Sequence, residues 1–199
     1  MKVKQVMGTL GLTTLLEQSG ALHRHICPRQ VLGARMGLLA GKLLGLELPR
    51  QDKRLLVLLE TDGCFADGVS VATGCWLGRR TMRLFDYGKV AATFVDTKTE
   101  QAMRIVPHPK ARARAKALLP FVSKWQAYLE GYQLLPDEEL LVTQTVRLEF
   151  SLPDLISHAE AKAICDTCGE EIINGRELVQ EGQTLCLACA GKAHYSKLL

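Results

Sequence analysis

The chain has 199 residues, a formal net charge of +4, 47% hydrophobic residues and 6% aromatic residues. That length holds one full domain and a small appendage, and the apolar fraction suits a globule with a real core. The mild charge argues for neither nucleic acid nor a membrane surface, and no run of eighteen apolar residues predicts a transmembrane helix.

Residues 9–22 read as an amphipathic helix with Leu12, Leu15, Leu16 and Leu22 as its apolar set. Gln5, Thr13, Thr14, Glu17 and Gln18 interrupt any signal-peptide core there. Pro28 suits a first helical position, which makes Cys27 a candidate N-cap for a helix over about 28–46. That helix carries Gly33, Gly37, Gly41 and Gly45, each costing roughly 1 kcal/mol against alanine. Such a stripe implies another backbone lying close, from a sheet or a second subunit. Residues 55–60 read as a buried strand, and 81–85, 89–96 and 101–106 as three more, with turns at Asp86–Gly88 and Asp96–Lys98. A long helix is expected from Pro109 to about 130, a strand over 140–150, and a short helix and linker over 153–163. Consecutive strands and partly segregated helices predict an α+β fold with a mostly antiparallel or mixed sheet, residues 1–155, followed by a separate module, 156–199.

The module carries the most specific motif. Cys165 and Cys168 form one CxxC knuckle and Cys186 and Cys189 another, seventeen residues apart. Four thiolates at that spacing close a tetrahedral shell around one structural Zn²⁺, in a treble-clef or zinc-ribbon manner. Ile172, Leu178 and Leu185 offer only a minimal core, so metal binding supplies the folding free energy. Asp166, Glu170, Glu171, Glu177 and Glu181 stand against Lys162, Arg176, Lys192 and Lys197, a poor balance for phosphates, so nucleic-acid binding is not expected.

Seven cysteines, four of them in zinc spacing, suit the reducing cytoplasm, the expected location. The other three gather near histidine and aspartate in the sequence. His25 and Cys27 sit at the mouth of a helix, whose positive end favours a thiolate. Cys64 follows a strand in Asp62-Gly63-Cys64, and Cys75 comes eleven residues later. A borderline-soft metal would take two or three of these ligands. Equally, a buried cysteine can be a small hydrophobe, and Cys75 fits that reading too. Lys110, Arg112, Arg114 and Lys116, over 108–120, read either as a solvated helix face or as an anion-binding rim to which His108 contributes.

HRHICPRQVLGARMG, from His23, and ETDGCFADGVSVATGCWLGRRTMRLFDYGKVAATF, from Glu60, together resemble the two signatures of the FmdE family, named for a component of formylmethanofuran dehydrogenase. The matching positions include Asp62, Gly63, Cys64, Asp67, Thr73, Gly74, Cys75, Gly78, Asp86, Tyr87, Gly88 and Lys89. Arg29, Trp76 and Arg79 depart from the usual Gly, Thr and Lys, as does the stretch Gly68–Val71. The resemblance implies an α+β protein, often a homodimer, whose His/Cys cluster lines a metal-binding or active-site cleft. His25, Cys27 and Cys64 are then the expected ligands of a second metal, with a position open for a small anionic ligand. His23 and Asp67 would move protons, and Cys75 is a further catalytic candidate. Three functions stay open at this stage: a metal-dependent enzyme, either part of an oxidoreductase or a hydrolase-like activity, a non-enzymatic metal carrier or sensor, and a thiol redox protein using Cys64 and Cys75.

Overall fold

In the computed structural model, residues 11–156 and 160–196 are described, His23 and Asp154 by their backbone alone. Residues 9–10 of the first predicted helix and 157–159 of the predicted linker lie outside the described residues. The chain divides into two compact units, Met1–Glu149 and Phe150–Leu199.

The larger unit opens with α1 (Leu12–His23) and α2 (Pro28–Leu44), followed by β1 (Leu55–Leu59), α3 (Cys64–Thr73) and β2 (Met82–Leu84). Then come β3 (Ala92–Asp96), β4 (Ala102–Pro107), α4 (Ala111–Leu118), α5 (Lys124–Leu134), α6 (Asp137–Leu140) and β5 (Leu141–Val146). The strands form one mixed sheet in the order β2-β1-β3-β4-β5. β1 and β2 are parallel, joined through α3, while the other pairs are antiparallel. Alternate residues Leu55, Val57 and Leu59 of β1, with Phe94 and Ile105, enter the same core as Val31, Met36 and Phe65 of the helices, as the two-residue period of a strand requires.

The predicted helix over 109–130 is two helices. α4 ends at Leu118, just before Pro120, which has no N–H to continue the ladder. α5 restarts behind Ser123, whose hydroxyl accepts from the Gln126 amide at 3.1 Å. The predicted strand over 140–150 is preceded by the turn of α6 and stops at Val146.

The glycine stripe of α2 is used inside the chain. A Cβ on Gly33 would strike the Phe65 carbonyl, and one on Gly37 would lie 2.5 Å from the Cβ of Ala72. Gly68 of α3 abuts the Gln30 carbonyl and Ala34 in return. Partner numbers rise together along both helices, so α2 and α3 run parallel in backbone contact. Gly41 meets Leu46 and Leu48 instead, and Gly45 is the helix cap at φ 63°. Gly33 and Gly37 are therefore no surface for a second subunit.

The smaller unit holds α7 (Leu152–Leu155) and two hairpins, β6 (Lys162–Ile164) with β7 (Glu171–Ile173), and β8 (Leu178–Gln180) with β9 (Gln183–Leu185). A short irregular helical turn, Ala188–Lys192, follows. Cys165, Ile172 and Leu185 are its buried core, so Ile172 and Leu185 fill the places expected of them, while Leu178 is half-buried. No described helix is long and apolar enough to cross a membrane.

Candidate functional site

In the smaller unit, one ligand atom from each of Cys165, Cys168, Cys186 and Cys189 lies within 4.8 Å of the others. Cys168 Sγ and Cys186 Sγ are 4.0 Å apart. A tetrahedron with Zn–S bonds of about 2.3 Å sets its sulfurs roughly 3.8 Å apart, so the donor set fits one zinc ion. The backbone builds this cluster. Gly169, at φ 74°, turns the first knuckle so that its amide reaches the Cys165 carbonyl at 2.9 Å. The Asp166 carboxylate accepts from the Thr184 amide at 2.6 Å, which ties the knuckles together. The amide of Cys186 donates to Cys165 Sγ at 3.3 Å, and that of Cys189 to Cys186 Sγ at 3.4 Å. The amides of Cys186 and Cys168 hold the Cys165 thiol down to about 6, whereas the Cys186 thiol and burial push Cys189 up to about 12. Four crowded sulfurs shed all their protons only when a cation compensates the charge.

The larger unit has a cleft of about 750 Å³ beside the start of α2. Cys27 caps α2, its amide donating to the Gln30 side chain at 2.6 Å. Gln30 is fully buried and donates onward to the Ser19 carbonyl and hydroxyl at 3.0 and 2.9 Å, which ties the end of α1 to the start of α2. Cys64 is the first residue of α3. Because α2 and α3 run parallel in contact, their N-termini lie side by side, and both cysteines line the cleft. Burial first, and then a hydrogen bond with Cys27, push the Cys64 thiol up, with the nearby Asp67 charge adding to it. Two positive helix ends converge at the pair.

Arg29, Lys89, Arg112 and His108 also line the cleft, with no Asp or Glu among the lining residues. Lys89 is presented by a turn in which the Gly88 amide meets the Asp86 carboxylate at 3.0 Å and the Lys89 amide meets the Glu60 carbonyl at 3.1 Å. Glu60 is held in turn by the Arg104 guanidinium through bonds of 2.5 and 2.8 Å. His108 Nδ1 accepts from the Lys110 amide at 2.9 Å, which leaves Nε2 as the protonated nitrogen of the neutral ring. An aromatic wall of Trp125, Tyr128 and Tyr132 completes the lining, the two tyrosine rings stacked with centroids 5.7 Å apart. Burial pushes the Tyr132 phenol up, and the nearby Arg112 charge opposes that. Arg35 of α2 fixes this wall, bonding the carbonyls of Tyr132, Gln133 and Leu135 at 2.8, 3.2 and 2.7 Å and Asp137 Oδ1 at 2.7 Å.

Of the larger unit's predicted ligands, then, Cys27 and Cys64 come together. His25 is exposed, and among the described residues no third His, Cys, Asp or Glu joins the two thiols to make a group of three. Two sulfurs do not complete a metal centre. His23 ends α1 and its side chain is not among those described. Asp67 is part-buried in α3 and acts electrostatically on Cys64. Cys75 is 2% exposed in the core, its Sγ donating to the Leu55 carbonyl at 3.4 Å, and burial pushes its thiol up. It follows the ten-residue α3 that Cys64 begins, and a helix of that length separates its ends by roughly 14 Å. A Cys64–Cys75 disulfide needs Cα atoms within about 7 Å, so the structure does not allow that pairing. The basic segment is divided as well. Arg112 faces the cleft, while Arg114 donates to the Glu139 carbonyl at 2.6 Å. The aromatic wall has a legible signal, the spacing of 125, 128 and 132 along one helix face, hidden by reading α4 and α5 as one helix.

Comparisons with known proteins divide the chain the same way. Residues 22–142 match the family model described as "FmdE, Molybdenum formylmethanofuran dehydrogenase operon", and residues 162–195 match that of the prokaryotic dksA/traR C4-type zinc finger. A probable S-adenosyl-L-methionine-binding protein of Archaeoglobus fulgidus is 33% identical over 211 aligned residues, covering 90% of this chain and 53% of that protein. The chain thus spans about half the length of that relative. A crystal structure of a tungsten formylmethanofuran dehydrogenase FmdE-like protein from Syntrophus aciditrophicus shares the fold, with a TM-score of 0.62, 20% identity and coverage of 98% of this chain and 100% of that one. With the first model spanning more than half of its length, the chain belongs to the FmdE family and carries a C4-type zinc finger behind the family domain.

Proposed function

We propose that the cleft of the FmdE domain binds a small anionic ligand against the Cys27–Cys64 pair, and that the zinc finger is a separate structural metal site. The observation that carries this reading is the lining: two thiols at two helix N-termini, three cationic side chains and, among the described residues, no carboxylate. Positive helix ends and guanidinium groups together favour a carboxylate or phosphate. His108 is the residue in the lining suited to moving a proton at such a ligand. Any metal at the pair would need ligands from beyond the described side chains, so no chemical step is assigned to one.

The test is a calorimetric titration of the protein with formate, acetate and inorganic phosphate, alongside elemental analysis. At least one anion is expected to bind, with affinity falling tenfold or more in Arg112→Met and Lys89→Met. No binding by any of the three, or equal binding by the variants, sinks the proposal. One zinc per chain is expected, and a second metal lost in Cys27→Ala/Cys64→Ala would restore the metal-centre reading.

A second reading draws on the aromatic wall. Trp125, Tyr128 and Tyr132 suit a ligand with a flat ring, and the Archaeoglobus relative is named for S-adenosyl-L-methionine. An adenosyl ligand with an amino-acid carboxylate would use wall and cations together. Binding of S-adenosylmethionine that is lost in Trp125→Ala would favour it over a simple anion.

A further inference from the structure

We infer that Cys27 and Cys64 form a reversible disulfide across the α2–α3 seam, a redox site distinct from the zinc-type cluster. The argument is geometric. A disulfide asks for Cα atoms about 4.4–6.8 Å apart and side chains aimed at each other. The seam holds two parallel helices at backbone contact, through Gly33 against Phe65 and Gly68 against Gln30. Cys27 and Cys64 occupy the leading ends of those same helices, line the same cleft and are both partly exposed in it. The pair therefore has proximity, a fixed spacing and access for a reagent. The remaining cysteines lack one or another of these. Cys75 is sealed in the core behind α3, and the other four sit together in the finger.

The reaction balances with glutathione disulfide as oxidant. One protein thiolate attacks a sulfur of glutathione disulfide, forming a mixed disulfide and expelling one glutathione thiolate. The second protein thiolate attacks the protein sulfur of that mixed disulfide, closes the Cys27–Cys64 bond and expels the second glutathione. Two protein thiols are oxidised, one glutathione disulfide is reduced, and the two thiol protons end on the two glutathiones. Oxidation removes both sulfurs from whatever the cleft holds. That consequence rests on the ligand proposal above, whereas the disulfide itself does not.

The experiment exposes the full zinc-loaded chain to glutathione disulfide, blocks free thiols with N-ethylmaleimide, and maps tryptic peptides by mass spectrometry. Trypsin releases Cys27 in peptide 25–29 and Cys64 together with Cys75 in peptide 55–79, so the wild type is run beside Cys75→Ala. The expected result is a 25–29/55–79 cross-link in both proteins, reversed by dithiothreitol and absent from Cys27→Ser and Cys64→Ser. The inference is overturned if peptide 25–29 stays fully alkylated, if it stops at a stable glutathione adduct, or if the cross-link vanishes in Cys75→Ala. Should a serine variant fold poorly, the wild type and Cys75→Ala decide the matter between them. A cross-link in a protein that binds no anion would refute the ligand proposal alone.

Discussion

The two groups of cysteines in this chain are built by opposite means. In the finger, every sulfur of the cluster lies in a CxxC knuckle, the turn at Gly169 shapes the first knuckle, and the bonds between Asp166 and Thr184 tie the two together, with the four sulfurs within 4.8 Å of each other. In the FmdE domain, Cys27 and Cys64 are far apart in sequence and meet only because two helices run parallel in glycine contact. A local motif specifies its site whatever the rest of the fold does. A site built on a seam is only as good as the seam.

Removing zinc should break the comparison most visibly. A chelator, or Cys186→Ala, is expected to abolish hydrogen-exchange protection over 162–192 while leaving protection in β1, β3 and α2 unchanged. Loss of protection in both units together would mean that the finger is not an independent metal-folded body. The reverse experiment attacks the seam. In Gly68→Ala the new Cβ meets the Gln30 carbonyl and lies 3.0 Å from the Ala34 amide, backbone atoms that cannot swing aside. A cost of about 3 kcal/mol is expected, lowering the melting temperature of the FmdE domain by roughly 6–12 °C while zinc content stays the same. Unchanged stability would show that the helices do not hold this contact in solution.

Arg35→Met sharpens the picture within the larger domain. It leaves the carbonyls of Tyr132 and Leu135 short of a buried donor, at an expected cost of about 2–3 kcal/mol in denaturant unfolding. A loss under about 0.5 kcal/mol would remove Arg35 from its clamping role.

Acid should separate the two units with the smallest effects on each. Zinc leaves its thiolates as protons compete for them. The Arg54 guanidinium holds the buried Asp96 carboxyl down from 3.8 to about 2. A depressed carboxylate stabilises the fold above its unfolded value and loses that contribution as pH falls through the folded one, so this part of the stability fades between about pH 4 and 2. Zinc release followed by circular dichroism is expected to occur first, and Arg54→Met to flatten the lower step. Unfolding of the larger domain before zinc release would contradict the order.

What can be read from the sequence divides along the same line. The finger's ligands are legible because knuckle spacing is a local code. The positions of the strands along the chain and the hidden face of α2 are legible because periodicity and glycine spacing report burial, whereas the order β2-β1-β3-β4-β5 within the sheet is not. Residue types at the cleft are legible too, but their grouping is not. Cys64 and Cys75 are close in sequence, yet α3 carries them to different surroundings, and His25 is exposed at the mouth of α2. Pro120 marks a break in plain sight, yet the wall of Trp125, Tyr128 and Tyr132 stays hidden inside a helix drawn too long. Tertiary neighbours, not residue types, decide each of these points.

The bonds from Arg35 have a mechanical meaning beyond stability. One helix, α2, carries a thiol at its tip and, two turns along, grips the tail of the helix that bears the aromatic wall. Floor and wall of the cleft are thereby bolted to a single beam. A guest that fits needs no hinge to close around it, so little of its binding free energy is spent on rearranging the host, and a guest that does not fit meets a frame that will not give.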